Sequence, residues 1–145
     1  MRLAPHLLAI CAVCAISAAA LLSACGGTPT GPERAATVTM RDIAFEPVTL
    51  EVRVGEPMRL ELRKDGALVH DFTIETMPLT GKSTQGGISG GQHDHQAGQF
   101  ALHLALEAGK RGEARFPASK AGEYDYFCTV AGHREAGMRG TIRVD

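Results

Sequence analysis

Cysteine is scarce in this chain where it would matter most. Of the four cysteines in 145 residues, at positions 11, 14, 25 and 128, only Cys128 falls within the strongly patterned part of the sequence. A disulfide inside that part is excluded, and so is an iron–sulfur cluster, which takes about four cysteine ligands. Charge of one sign is missing as well. The 15 basic residues stand against 16 acidic ones, a net charge of −1, with no basic run, so there is no electrostatic footprint for nucleic acid. The longest apolar run, Leu7 to Leu22, has roughly 16 residues, short of the ~20 that a membrane-spanning helix needs. No long segment shows helical periodicity with caps.

What is present begins with a leader. Met1-Arg2 supplies a positive charge, the apolar run follows, and Leu22-Ser23-Ala24-Cys25 closes it with small residues. That order describes an export signal. The closing tetrapeptide resembles the bacterial lipobox, which implies that Cys25 is lipidated and becomes the first mature residue. Gly26-Gly27-Thr28-Pro29-Thr30-Gly31-Pro32 then reads as a flexible tether. The expected organisation is a signal over 1–24, the lipidated Cys25 with its tether over 25–35, and a single domain over 36–145. In an exported chain of this kind, a lone domain thiol is either reactive or has work for its sulfur.

From Ala36 onward the hydrophobic pattern has period two. Val48, Leu50 and Val52 alternate with polar residues, and after Gly55-Glu56-Pro57 so do Met58, Leu60 and Leu62. Val69–Glu75 alternates again, and further strands are expected near 102–106, 113–116, 124–128 and 140–144. Short alternating strands separated by turn residues predict an all-β sandwich of antiparallel sheets. Met77–Phe100 breaks the rhythm with glycines, polar residues and His93-Asp94-His95. It reads as a mobile loop insertion, because segments of that length without structure are functional or disordered.

Near the end of the chain, Cys128, His133 and Met138 stand at intervals of five. Side chains at i, i+2 and i+4 of a strand share a face. Tyr124, Tyr126 and Cys128 therefore point one way, and His70, Phe72 and Ile74 share one face of their own strand, opposite Val69, Asp71 and Thr73. An inward thiol and an inward imidazole, joined by a second imidazole and a thioether, make a donor set for copper: two His and one Cys with a weak axial Met. Zinc prefers four stronger ligands in a tetrahedron and gains little from Met. A binuclear copper centre would need a second cysteine in the loop.

The same residues carry a resemblance. Leu68-Val69-His70-Asp71-Phe72, Gly122-Glu123-Tyr124-Asp125-Tyr126-Phe127-Cys128 and the Cys-x4-His-x4-Met spacing followed by Arg139-Gly140-Thr141 are similar to the cupredoxins, the small blue copper proteins. The resemblance runs from about Val38 to Asp145, apart from the insertion. It implies a Greek-key sandwich in which His70, Cys128, His133 and Met138 hold one type 1 copper ion. It also implies single-electron transfer at the cell envelope, with a cytochrome, an oxidase or a reductase as partner. The chain would act as a lipid-anchored monomer, without a small-molecule substrate and without enzymatic activity, since related oxidases and nitrite reductases need further copper sites and domains. Copper sequestration or delivery is the alternative. Two positions depart from the pattern. Asp71 stands where relatives often carry Asn, next to the site, and Ala131 stands where relatives with this loop tend to have Pro.

The remaining histidines read differently. His93 and His95, two residues apart in a polar loop, offer at best a weak additional metal site, and His103 is expected on a strand surface. Arg134, Glu135 and Arg139 are expected to form a solvated rim around His133. If the ligands are correctly chosen, replacing His93 and His95 together by Ala leaves the visible copper band intact. Loss of that band in an absorption spectrum would show that the ligand set is wrong.

Overall fold

The computed structural model describes residues 31–88 and 99–145; the leader, Cys25, His93 and His95 lie outside them. Among the described residues ten strands are formed: β1 Arg34–Arg41, β2 Ala44–Glu46, β3 Thr49–Val52, β4 Pro57–Lys64, β5 His70–Ile74, β6 Ser83–Gln85, β7 Leu102–Leu106, β8 Arg111–Pro117, β9 Gly122–Phe127 and β10 Arg139–Val144. They build two five-stranded sheets, ordered β2-β1-β4-β8-β6 and β3-β10-β9-β5-β7. The expected all-β sandwich is what the chain forms, with no helix among the described residues. Most pairings are antiparallel, but β1 with β4 and β3 with β10 are parallel.

Period-two alternation explains the packing directly. Along β4 every second residue is buried. Met58, Leu60 and Leu62 there meet Val38 and Met40 of β1, Ala114 and Phe116 of β8, and Phe72, Tyr126 and Ile142 of the opposite sheet in one core. Phe45, Phe72 and Tyr126 form an aromatic centre. Phe72 stacks on Tyr126 at 4.7 Å, and Phe45 meets both edge-on at 5.9 and 5.1 Å. The Tyr126 hydroxyl donates to Pro47 O at 2.6 Å, which satisfies the one polar atom this ring brings inside. Gly140 lies opposite Tyr126 in the ladder. A Cβ there would collide with the Tyr126 ring and with Val48 O, so β10 can pass the ring only as glycine.

Three details differ from the sequence pattern. Val48 belongs to no strand and is exposed, because β3 begins at Thr49. The described part of the 77–100 segment is not simply loop. Met77 is buried, Leu79 bridges to Ala118, and Ser83–Gln85 pairs with β8 as an edge strand. Its three residues are all exposed, so no apolar period could announce it. On β5 both faces are buried; Asp71 and Thr73, placed on the outer face by alternation, are covered by other parts of the chain.

What most affects the site is how β5 and β9 part company. They pair only at Thr73↔Phe127 and Ile74↔Tyr126. Continuing that antiparallel register would set Asp71 against Thr129, but the backbone ladder has already ended. His70 and Cys128 therefore flank an opening at one end of the sandwich, and the chain from Thr129 to Met138 loops over it before entering β10.

Candidate metal centre

Each side chain of the centre is delivered by a different piece of backbone. His70 opens β5, Cys128 follows the last residue of β9, and Met138 precedes β10. His133 comes from the loop between Cys128 and Met138. That loop is closed by its own hydrogen bonds: His133 N donates to Val130 O, Ala136 N to Gly132 O, Met138 N to His133 O and Cys128 N to Met138 O, at 2.9–3.1 Å. Gly132 and Gly137 hold φ of +82° and +104°, a left-handed backbone that residues with a Cβ adopt at a cost.

Three ligand atoms converge. His70 Nδ1 and His133 Nδ1 are 3.2 Å apart, and Cys128 Sγ lies 3.8 Å from the first and 3.6 Å from the second. All three atoms fall within 4.8 Å of one another. A triangle with these sides has its centre about 2 Å from each corner, close to a metal–imidazole bond length. One thiol and two imidazoles around such a point fit copper by donor type as well as by size. His70, Cys128 and Met138 are fully buried, whereas His133 is half-buried. The structure thus brings His70, Cys128 and His133 together and seats Met138 at the base of the loop.

Asp71 connects the two ligand segments where the ladder stops. Its Oδ1 accepts from Thr129 N at 2.8 Å and its Oδ2 from the Thr129 hydroxyl at 2.6 Å. The Thr73 hydroxyl also donates to Asp71 Oδ1, at 2.8 Å. Because that hydroxyl has one proton, His103 Nδ1, 2.7 Å from Thr73 Oγ1, is the donor in their contact. His103 is therefore half-buried and engaged, not simply on a strand surface. Thr73 and Thr129 play parts that sequence reasoning missed; their one signal in the sequence is their position within three residues of His70 and Cys128. Of the expected rim, Arg134 is half-buried, with its guanidinium 3.9 Å from the centroid of Phe127 and 3.8 Å from Glu75. Glu135 and Arg139 are exposed.

Burial sets the protonation of the metal-free centre. It pushes the His70 imidazole down to about 4, with help from the nearby positive charges of Lys64 and His133. It pushes the Cys128 thiol up to about 11, helped by Asp71. Near neutral pH the metal-free centre therefore holds a neutral imidazole at His70 and a protonated thiol. Binding a metal through sulfur must release that thiol proton.

Comparison with known proteins follows the same line. The model of the cupredoxin-like domain family matches residues 7–144. The chain is similar to two proteins named copper-resistant cuproprotein CopI. It is 32% identical to that of Rubrivivax gelatinosus over 119 residues, covering 81% of this chain and 70% of the relative. It is 27% identical to that of Pseudomonas aeruginosa over 137 residues, covering 77% and 76%. Among solved structures it resembles auracyanin A, a blue copper protein of Chloroflexus aurantiacus. There the TM-score is 0.57 with 18% identity, covering 78% of this chain and 99% of the other; at that identity the likeness concerns the fold.

The depressed His70 has a consequence for stability. Unfolded, its imidazole takes up a proton below pH 6.5; folded, it stays neutral down to about 4. Stability of the metal-free protein is therefore complete above 6.5 and falls as pH drops through that interval, by about 3 kcal/mol at most. Urea unfolding at successive pH values measures this, and His70→Gln should flatten the slope. A profile equally steep in that variant would contradict the assignment.

Proposed function

This chain belongs to the cupredoxin-like family, and from that premise we propose that it is a mononuclear copper protein that passes single electrons between redox proteins at the cell envelope. The observation that carries this reading is a built site, formed by the chain itself, in which two ligand atoms are buried and the third ligand residue reaches toward solvent. His70 Nδ1, Cys128 Sγ and His133 Nδ1 would hold a single type 1 copper ion, with Met138 as a fourth, weaker ligand. Bound there, copper supplies a one-electron couple whose two oxidation states both tolerate this mixed donor set.

The residues divide the work. Cys128 gives up its proton on loading and provides the strong ligand. His70, enclosed in the core, stays neutral and keeps Nδ1 turned toward the sulfur. His133 presents the half-buried edge through which electrons would enter and leave. The Asp71 clasp and the loop's own hydrogen bonds hold the ligand segments in place, and would do so whichever oxidation state of the metal is bound. Leu68 and Val69, exposed apolar residues just before His70, leave an uncharged surface beside the strand that carries it. In this reading Cys25 carries a lipid, the residues after it tether the domain to a bacterial membrane, and no substrate is transformed.

A second reading, copper sequestration or delivery, is favoured by one observation: both sequence relatives are named as copper-resistant cuproproteins. The two readings differ in how the metal behaves. Adding Cu(II) to the purified protein is expected to give an intense thiolate charge-transfer band and a reversible one-electron voltammogram, with the band abolished by Cys128→Ser. A band unchanged by that substitution would refute the site. Rapid loss of copper to a chelator or an apo-enzyme would move sequestration or delivery ahead of electron transfer.

A further inference from the structure

One buried charge is left unexplained by the ligand set. Lys64 ends β4, and by alternation it continues the inward series of Met58, Leu60 and Leu62. It is 1% exposed, and its Nζ has no hydrogen-bond partner among the described residues. A lysine buried without a hydrogen bond is costly and rare, even with the Asp42 carboxylate close by at Gly66, so a reason for its place is called for. Residues 65–69 cross from β4 in one sheet to β5 in the other, which sets Lys64 and His70 at the same end of the sandwich, both facing inward. Gly66 in this crossing packs against the ammonium. A Cβ there would lie 2.9 Å from Lys64 Nζ and would collide with the Asp42 carboxylate. The turn thus packs directly against Nζ.

We propose that Lys64 is a positioning residue for the oxidation state of the centre, an enclosed ammonium at the same end of the sandwich as His70 that favours the less positively charged, reduced metal and so raises the reduction potential. The inference rests on the copper reading above. Its physics is Coulombic: reduction removes one positive charge from the centre, and a fixed positive charge nearby is relieved by that removal, more strongly at low local dielectric. Burial favours loss of the lysine's own proton, whereas Asp42 and Asp65 act to retain it.

The test uses the copper-loaded full chain with Lys64→Met, which keeps length and apolar volume while removing the charge, and Lys64→Gln as a second variant. The visible band and the electron paramagnetic resonance spectrum report whether the copper site is intact; voltammetry reports the potential. Both variants are expected to keep the wild-type spectra and shift the potential downward, and the shift should persist in concentrated salt, since a buried charge is screened little. An unchanged or raised potential with intact spectra would overturn the proposal. So would loss of the band in the variants alone, or failure of both to fold, since either outcome gives Lys64 a structural role. A wild-type protein without a copper band would instead refute the copper reading, so the two failures are distinguishable.

Discussion

The centre depends on a carboxylate that does the work of a missing stretch of β-ladder. β5 and β9 must separate at their ends, or their backbones would occupy the space the ligands enclose. Separation leaves the Thr129 N–H without a strand partner, and Asp71 supplies one from its side chain. Because Asp71 follows His70 and Thr129 follows Cys128, this single contact sets the distance between the two buried ligand segments. The bonds to the Thr129 and Thr73 hydroxyls spread the same restraint over neighbouring turns of chain. Asn in this position has one oxygen to offer; Asp has two, and here both are used.

Around that clasp, burial and charge act together. The aromatic centre of Phe45, Phe72 and Tyr126 fixes β5 and β9 against the opposite sheet, so His70 and Cys128 hang from a rigid frame. Enclosure keeps His70 unprotonated and the Cys128 sulfur protonated until metal arrives, and the loop from Thr129 to Met138 brings His133 back over the opening. Lys64 is the counterweight to Asp71. One places positive charge and the other acidic oxygen beside the same buried space, and the balance between them bears on the potential of whatever metal sits there.

Much of this was legible in residue order, for identifiable reasons. Period-two alternation in β3, β4 and β8 is strong because each strand has one face in the core, and the inward aim of His70 follows from the same rule. The spacing from Cys128 to Met138 is a local signal that survives without any knowledge of the fold. Asp71 was visible as a departure next to the site, but its contacts with Thr129 and Thr73 were not, since alternation cannot say what covers the second face of an interior strand. Lys64 was hidden because a lysine ordinarily ends an apolar series instead of extending it. The edge strand Ser83–Gln85 exists only through its pairing with β8, and His103 acquires its role only when β7 is laid against β5.

The most direct measurement of the clasp is the stability of the metal-free protein carrying Asp71→Ala or Asp71→Asn, from equilibrium urea unfolding. Asp71→Ala strands the Thr129 N–H and the Thr73 hydroxyl, and is expected to cost about 2–4 kcal/mol. Asp71→Asn keeps one acceptor and should lose clearly less. If Asp71→Ala unfolds at the same urea concentration as the parent protein, with the same slope, the carboxylate does not hold the two ligand segments together and the account of the centre fails.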